Sequence, residues 1–209
     1  MKKKLIMVVG SLLLVTLMVI GGTMAWFTDS KEAVNRFTAG TVDIELVEEF
    51  TSPTNWNPGD TTPKDADIIV KSSKRTYVRV LLTPSWGELP LDFIGVKFSN
   101  ASKWVTENGV NLNTLVGQDG LIPVNVLPNK LYYVDIVKGE PDFTINVIDS
   151  VKFLGTSLLV PATDQNLYQG KTFELNIKAE AVQASNKAYK DVWNIDELPA
   201  EVETFEPTP

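Results

Sequence analysis

The chain of 209 residues carries 19 basic and 26 acidic groups, a net charge of −7, and has neither histidine nor cysteine. Those absences remove the commonest zinc ligands, the usual general base at neutral pH, any thiol nucleophile and any disulfide, which argues against triad or zinc hydrolysis. The many acidic residues leave a carboxylate-pair mechanism open, whereas no basic cluster exists to follow a phosphate backbone, which argues against nucleic acid as a partner.

The first element is an export signal, residues 1–25. Lys2, Lys3 and Lys4 precede an uncharged apolar run from Leu5 to Ile20, and Gly21-Gly22-Thr23-Met24-Ala25 closes it. These are the charged, apolar and small-residue regions of a secretory peptide, with the cut placed between Ala25 and Trp26. The uncharged stretch from Leu5 to Trp26 is also long enough for an uncleaved membrane anchor. Either way the lysines stay in the cytoplasm and the remainder lies outside it. Cleavage removes three basic groups and no acidic one, so the mature chain carries 16 against 26, a net −10, and is released from the membrane.

Residues 26–39 are amphiphilic, with Trp26, Phe27, Val34 and Phe37, and have no evident partner strand in the sequence. Such a segment completes the open edge of a neighbouring sheet through main-chain hydrogen bonds, or pairs within its own subunit as an edge strand.

From Thr41 the apolar residues recur with period two, the pattern of half-buried strands. Val42, Ile44 and Leu46 alternate with Thr41, Asp43 and Glu45, Val78, Val80 and Leu82 with Tyr77, Arg79 and Leu81, and Phe173, Leu175, Ile177, Ala179 and Ala181 with Glu174, Asn176, Lys178 and Glu180. Weaker strands are expected at Asp67 to Val70, Phe93 to Phe98, Leu131 to Val137 and Val147 to Phe153, with a short helix around Val110 to Leu115. Turn chemistry separates them, as at Asn57-Pro58-Gly59-Asp60 and Glu107-Asn108-Gly109. The pattern predicts an all-β domain over residues 40–184, an antiparallel two-sheet sandwich of jelly-roll or immunoglobulin-like kind.

Residues 185–209 read as an acidic, partly disordered tail. Asn194 to Pro209 holds Asp196, Glu197, Glu201, Glu203 and Glu206 with no basic residue and three prolines. A stretch of that composition buries too little apolar surface to offset its ordering entropy.

No motif implies a cofactor or metal. Gly117-Gln118-Asp119-Gly120 reads as a turn. Asp65 with Asp67, or Glu48 with Glu49, lacks a loop of alternating oxygen ligands for calcium and reads as solvated strand ends. Trp56 and Trp86, in turns beside proline or glycine, read as core-capping side chains in preference to a sugar platform.

From Thr23 to Leu46 the sequence resembles the TasA and camelysin-like family of Gram-positive biofilm matrix proteins. The residues carrying the likeness are Phe27 and Asp29 past the cut, then Asn35, Phe37, Ala39-Gly40-Thr41 and the strand through Asp43 and Leu46. Trp56-Asn57-Pro58-Gly59-Asp60, Tyr77-Val78-Arg79-Val80, Tyr168-Gln169-Gly170 and Ile177 to Ala184 extend it, and Gln183-Ala184 with Trp193 resembles the BsaA-type clostridial branch. The resemblance implies cleavage by the signal peptidase SipW, a jelly-roll sandwich, and head-to-tail polymerisation into extracellular biofilm fibres. It makes Trp26, Phe27, Asp29, Val34, Asn35, Phe37, Ala39 and Gly40 the donor strand, and the partners another copy of the chain, SipW and, as an open question, an accessory fibre protein. It carries no catalytic residue onto this chain, which has no His-Glu-x-x-His helix, so a peptidase is not expected. A monomeric or membrane-tethered surface-binding module is the alternative.

Overall fold

A strand that alternates apolar and polar residues presents one apolar face, and such faces are buried by stacking two sheets. The computed structural model describes residues 42–50, 56–154, 167–168 and 171–206, to which the structural statements below refer. They include nine strands: β1 (Ile44–Phe50), β2 (Thr61–Val70), β3 (Thr76–Ser85), β4 (Ile94–Phe98), β5 (Trp104–Thr106), β6 (Ile122–Pro123), β7 (Lys130–Tyr133), β8 (Phe143–Phe153) and β9 (Glu174–Gln183). A five-stranded sheet has the order β1-β2-β8-β4-β6 and a four-stranded sheet the order β5-β7-β3-β9. Every pairing is antiparallel. The fold is thus the all-β, antiparallel two-sheet sandwich expected from the sequence.

The main core lies between the sheets. Ala66, Ile68 and Val70 of β2 and Ile145 and Val147 of β8 face Val78, Val80 and Leu82 of β3 and Leu131 of β7, all buried. Each large aliphatic side chain removed from water there contributes on the order of 1.5–3 kcal/mol. Aromatic rings close one end: Trp86 lies 4.6 Å from Tyr168, 5.2 Å from Phe153 and 5.4 Å from Phe173, and Trp56 lies 6.1 Å from Trp86. Both tryptophans pack as core caps.

Several elements differ from the sequence reading. β2 starts at Thr61 rather than Asp67, because its inward row runs through Thr62 and Lys64, which carry no apolar signal. Pro63 is tolerated in this central strand beside a register shift against β8, where the ladder is already interrupted. β5 and β6 are too short to show a period. The expected helix at Val110 to Leu115 is a 3-10 turn over Leu112–Leu115, whose start is capped by the Asn111 side chain accepting from the Asn113 N–H at 3.0 Å.

The acidic tail is the main correction. Residues 185–206 are an ordered strap containing the helix α1 (Tyr189–Trp193), lying across the outer face of the four-stranded sheet. Trp193 and Val202 are buried with Tyr77, Val105, Tyr132, Val182 and Ala184, forming a second core. The acidic count concealed Ile195, Leu198 and Phe205, which pack against it. Backbone bonds fasten the strap: the Glu203 N–H donates to the Val134 carbonyl at 2.7 Å, and the Phe205 N–H to the Tyr77 hydroxyl at 2.9 Å.

Candidate functional site

An edge strand presents a row of main-chain donors and acceptors, so where long edges lie decides where another chain can add. On one flank the edges are β5 and β6, of three and two residues. β6 ends in Pro123, and β5 is closed by the Val105–Asn111 bridge and by the Thr106 N–H donating to the Val110 carbonyl at 2.9 Å. On the other flank the edges are β1, of seven residues, and β9, of ten. These two approach one another across the gap between the sheets. Among the described residues β9 pairs with β3 alone, over all ten of its positions, and β1 with β2 alone.

The inner faces at this flank are incompletely covered. Ile44 and Leu46 of β1 and Ile177, Ala179 and Ala181 of β9 face the core yet are only half-buried, whereas Ala66, Ile68 and Val80 on the adjacent strands have no exposure. The result is an apolar seam flanked by two long main-chain edges. At the end of the seam where the aromatic rings gather, the inner row of β1 continues into Glu48 and the exposed Phe50. Glu48 accepts from the Lys64 ammonium at 3.1 Å, and Lys64, although buried, stands 4.8 Å from the centre of the Phe50 ring.

The outer face of the four-stranded sheet carries a second cluster, which sequence reasoning did not single out. Register places Arg79 of β3 opposite Glu180 of β9. The Arg79 guanidinium donates to Glu180 Oε2 from Nε at 2.8 Å and lies 2.7 Å from it through Nη2, with the Trp193 ring 4.5 Å above. Lys178 Nζ lies 2.6 Å from the other Glu180 oxygen. Burial acts to raise the Glu180 carboxyl, but hydrogen bonds from Lys178 and Arg79, reinforced by their charges, outweigh it and hold the group below its ordinary range. Tyr77 is pushed up by burial, against the hydrogen bond it accepts from the Phe205 N–H. A tryptophan in an otherwise acidic segment was the available signal for this cluster.

The predicted cleavage residues Ala25 and Trp26, and the donor residues Phe27, Asp29, Val34, Asn35, Phe37, Ala39 and Gly40, lie outside the described residues. Of the acidic pairs, Asp67 accepts from the Asn146 side chain at 2.9 Å, and Glu49 stands opposite Asp65 across the β1–β2 ladder. Among the described residues no group of three or more histidine, cysteine, aspartate or glutamate side chains is placed to hold a metal ion.

Residues 1–81 match the family model described as camelysin metallo-endopeptidase. No curated protein matches the chain. The matched stretch takes in β1, β2 and the first part of β3, including the Thr23 to Leu46 signature. Over these residues the chain is similar to the camelysin family, the likeness that the Thr23 to Leu46 residues carry.

Proposed function

We propose that this protein is a secreted structural subunit of a biofilm matrix, assembling head-to-tail by donation of residues 26–39 to the β1/β9 flank of the next copy. The observation that carries the reading is the asymmetry of the sandwich. One flank is closed by short edges, and the other joins two long edges to a half-covered apolar row. A strand added to β9 would satisfy its outward main-chain groups, and side chains such as Phe27, Val34 and Phe37 would complete the burial of Ile177, Ala179 and Ala181. A contact between two different surfaces of one chain does not close on itself and therefore grows a filament. The similarity to the camelysin family over residues 1–81 is consistent with a matrix protein. In this reading SipW cuts between Ala25 and Trp26 outside the cytoplasm of a Gram-positive cell, and secretion itself releases the donor segment.

The family's descriptive name includes endopeptidase activity. We assign this chain a structural role instead, because a chain without histidine cannot form the His-Glu-x-x-His site of familiar zinc peptidases. The reading is tested with a chain lacking residues 1–39 and a synthetic peptide of residues 26–39. The peptide is expected to bind and to slow amide exchange in β9. Binding elsewhere, with β9 unprotected, would overturn the acceptor assignment.

A further inference from the structure

β9 is long, paired on one side among the described residues, and weakly buried along its inner row. Its two halves are held differently. In the outward row Glu174, Asn176 and Lys178 are exposed, whereas Val182 and, just beyond the strand, Ala184 are buried beneath the strap. Glu180, between these groups, is bound by Arg79, and Arg79 is covered by Trp193. The Ala184 N–H donates to the Arg75 carbonyl at 2.8 Å, tying the end of the strand to the turn before β3. The first half is fixed instead at the aromatic end, where Leu175 is buried and Phe173 packs on Trp86. An edge strand with half-covered inner side chains belongs to the low-stability end of a fold unless something else holds it.

We infer that residues 185–206 are a clamp whose Trp193 and Arg79 act as positioning residues for the assembly edge, holding the second half of β9 straight enough to receive an incoming strand. The strap contacts the outer face of the sheet and leaves the outward edge of β9 unpaired among the described residues, so it orders the acceptor without occupying it. Its link to assembly rests on the function proposed above; its effect on β9 does not.

The experiment is hydrogen exchange on the full secreted chain, comparing wild type with Trp193→Ala and Trp193→Phe. Trp193→Ala is expected to speed exchange of the β3-bonded amides between Glu180 and Gln183 about tenfold, with β2 and β8 unchanged, and Trp193→Phe to restore most of the protection. Peptide 26–39 should bind Trp193→Ala about tenfold more weakly, with the same rescue. Unchanged exchange in β9, or acceleration spread evenly through β2 and β8, would overturn the clamp. Faster exchange in β9 with unaltered peptide binding would overturn its positioning role. If the peptide fails to bind wild type, the assembly proposal and positioning role fall together, and exchange still decides whether the strap holds β9. Should Trp193→Ala not fold, Arg79→Lys gives the same readout, because it keeps the charge but loses the planar fork and its stacking on Trp193.

Discussion

Replacing Arg79 by methionine isolates the ion pair at the centre of the outer-face cluster. Methionine retains much of the aliphatic packing under Trp193, so the main loss is the charge. The Arg79 and Glu180 side chains are 9% and 21% exposed, so removing the cation strands a largely buried carboxylate. Breaking a fully buried pair costs about 3–5 kcal/mol. Lys178 still reaches Glu180, but that lysine is 71% exposed and its compensation is screened by water. Loss of the contact with the Trp193 ring adds about 0.5–2 kcal/mol. Because Glu180 is partly exposed and keeps Lys178, the pair falls well short of a fully buried one, and the expected total loss is about 2–4 kcal/mol, measured by urea unfolding at neutral pH. The double variant Arg79→Met/Glu180→Gln leaves no stranded charge and is expected to recover at least about 1 kcal/mol of that loss. A single variant within about 0.5 kcal/mol of wild type, or a double variant no more stable than the single, would refute the electrostatic reasoning.

Gly139→Ala should prevent folding or cost more than about 3 kcal/mol, because its Cβ would lie 2.6 Å from the Ser72 nitrogen and closer still to the Val70 carbonyl. Gly95→Ala places its Cβ 3.2 Å from the Leu121 Cβ and 3.3 Å from the Leu154 side chain, close contacts with side chains instead of backbone, and should cost about 1–3 kcal/mol in the same unfolding assay, less than Gly139→Ala. Trp104 is wholly buried, and its indole N–H has no partner among the described residues. Trp104→Phe, which removes that unsatisfied donor, should therefore cost no more than about 2 kcal/mol, whereas Trp104→Ala should cost about 3–5. Glu180, held low in the folded state, adds stability that is present above its ordinary value of 4.5 and is lost as pH falls through its lower folded value. Unfolding midpoints measured from pH 6 downward should accordingly fall less steeply in Glu180→Gln than in wild type.

Local pattern revealed the strands whose outer side chains meet water or whose inner rows are wholly apolar. β9 was the clearest, and its observed span of Glu174–Gln183 follows the alternation from Phe173 to Ala181. The first half of β2 was hidden because Thr62 and Lys64 occupy inward positions beside a bulge. Composition misled at the C-terminus: five carboxylates outweighed Trp193, Ile195, Leu198, Val202 and Phe205, although these bury against a sheet face that supplies its own tyrosines and valines. Burial by a distant partner offsets ordering entropy that the segment alone could not. The proposed donor segment stands out in the sequence as an amphiphilic stretch, whereas the edges proposed to receive it do not. Which strands become edges depends on β8 entering between β2 and β4 and on β9 returning to β3, and these non-local pairings leave no trace in local periodicity.

Electron microscopy of purified chain beginning at Trp26, beside the same chain lacking residues 26–37, tests the central claim most directly. The account predicts filaments from the first and folded, non-polymerising subunits from the second. Filaments formed equally well by the truncated chain would contradict it.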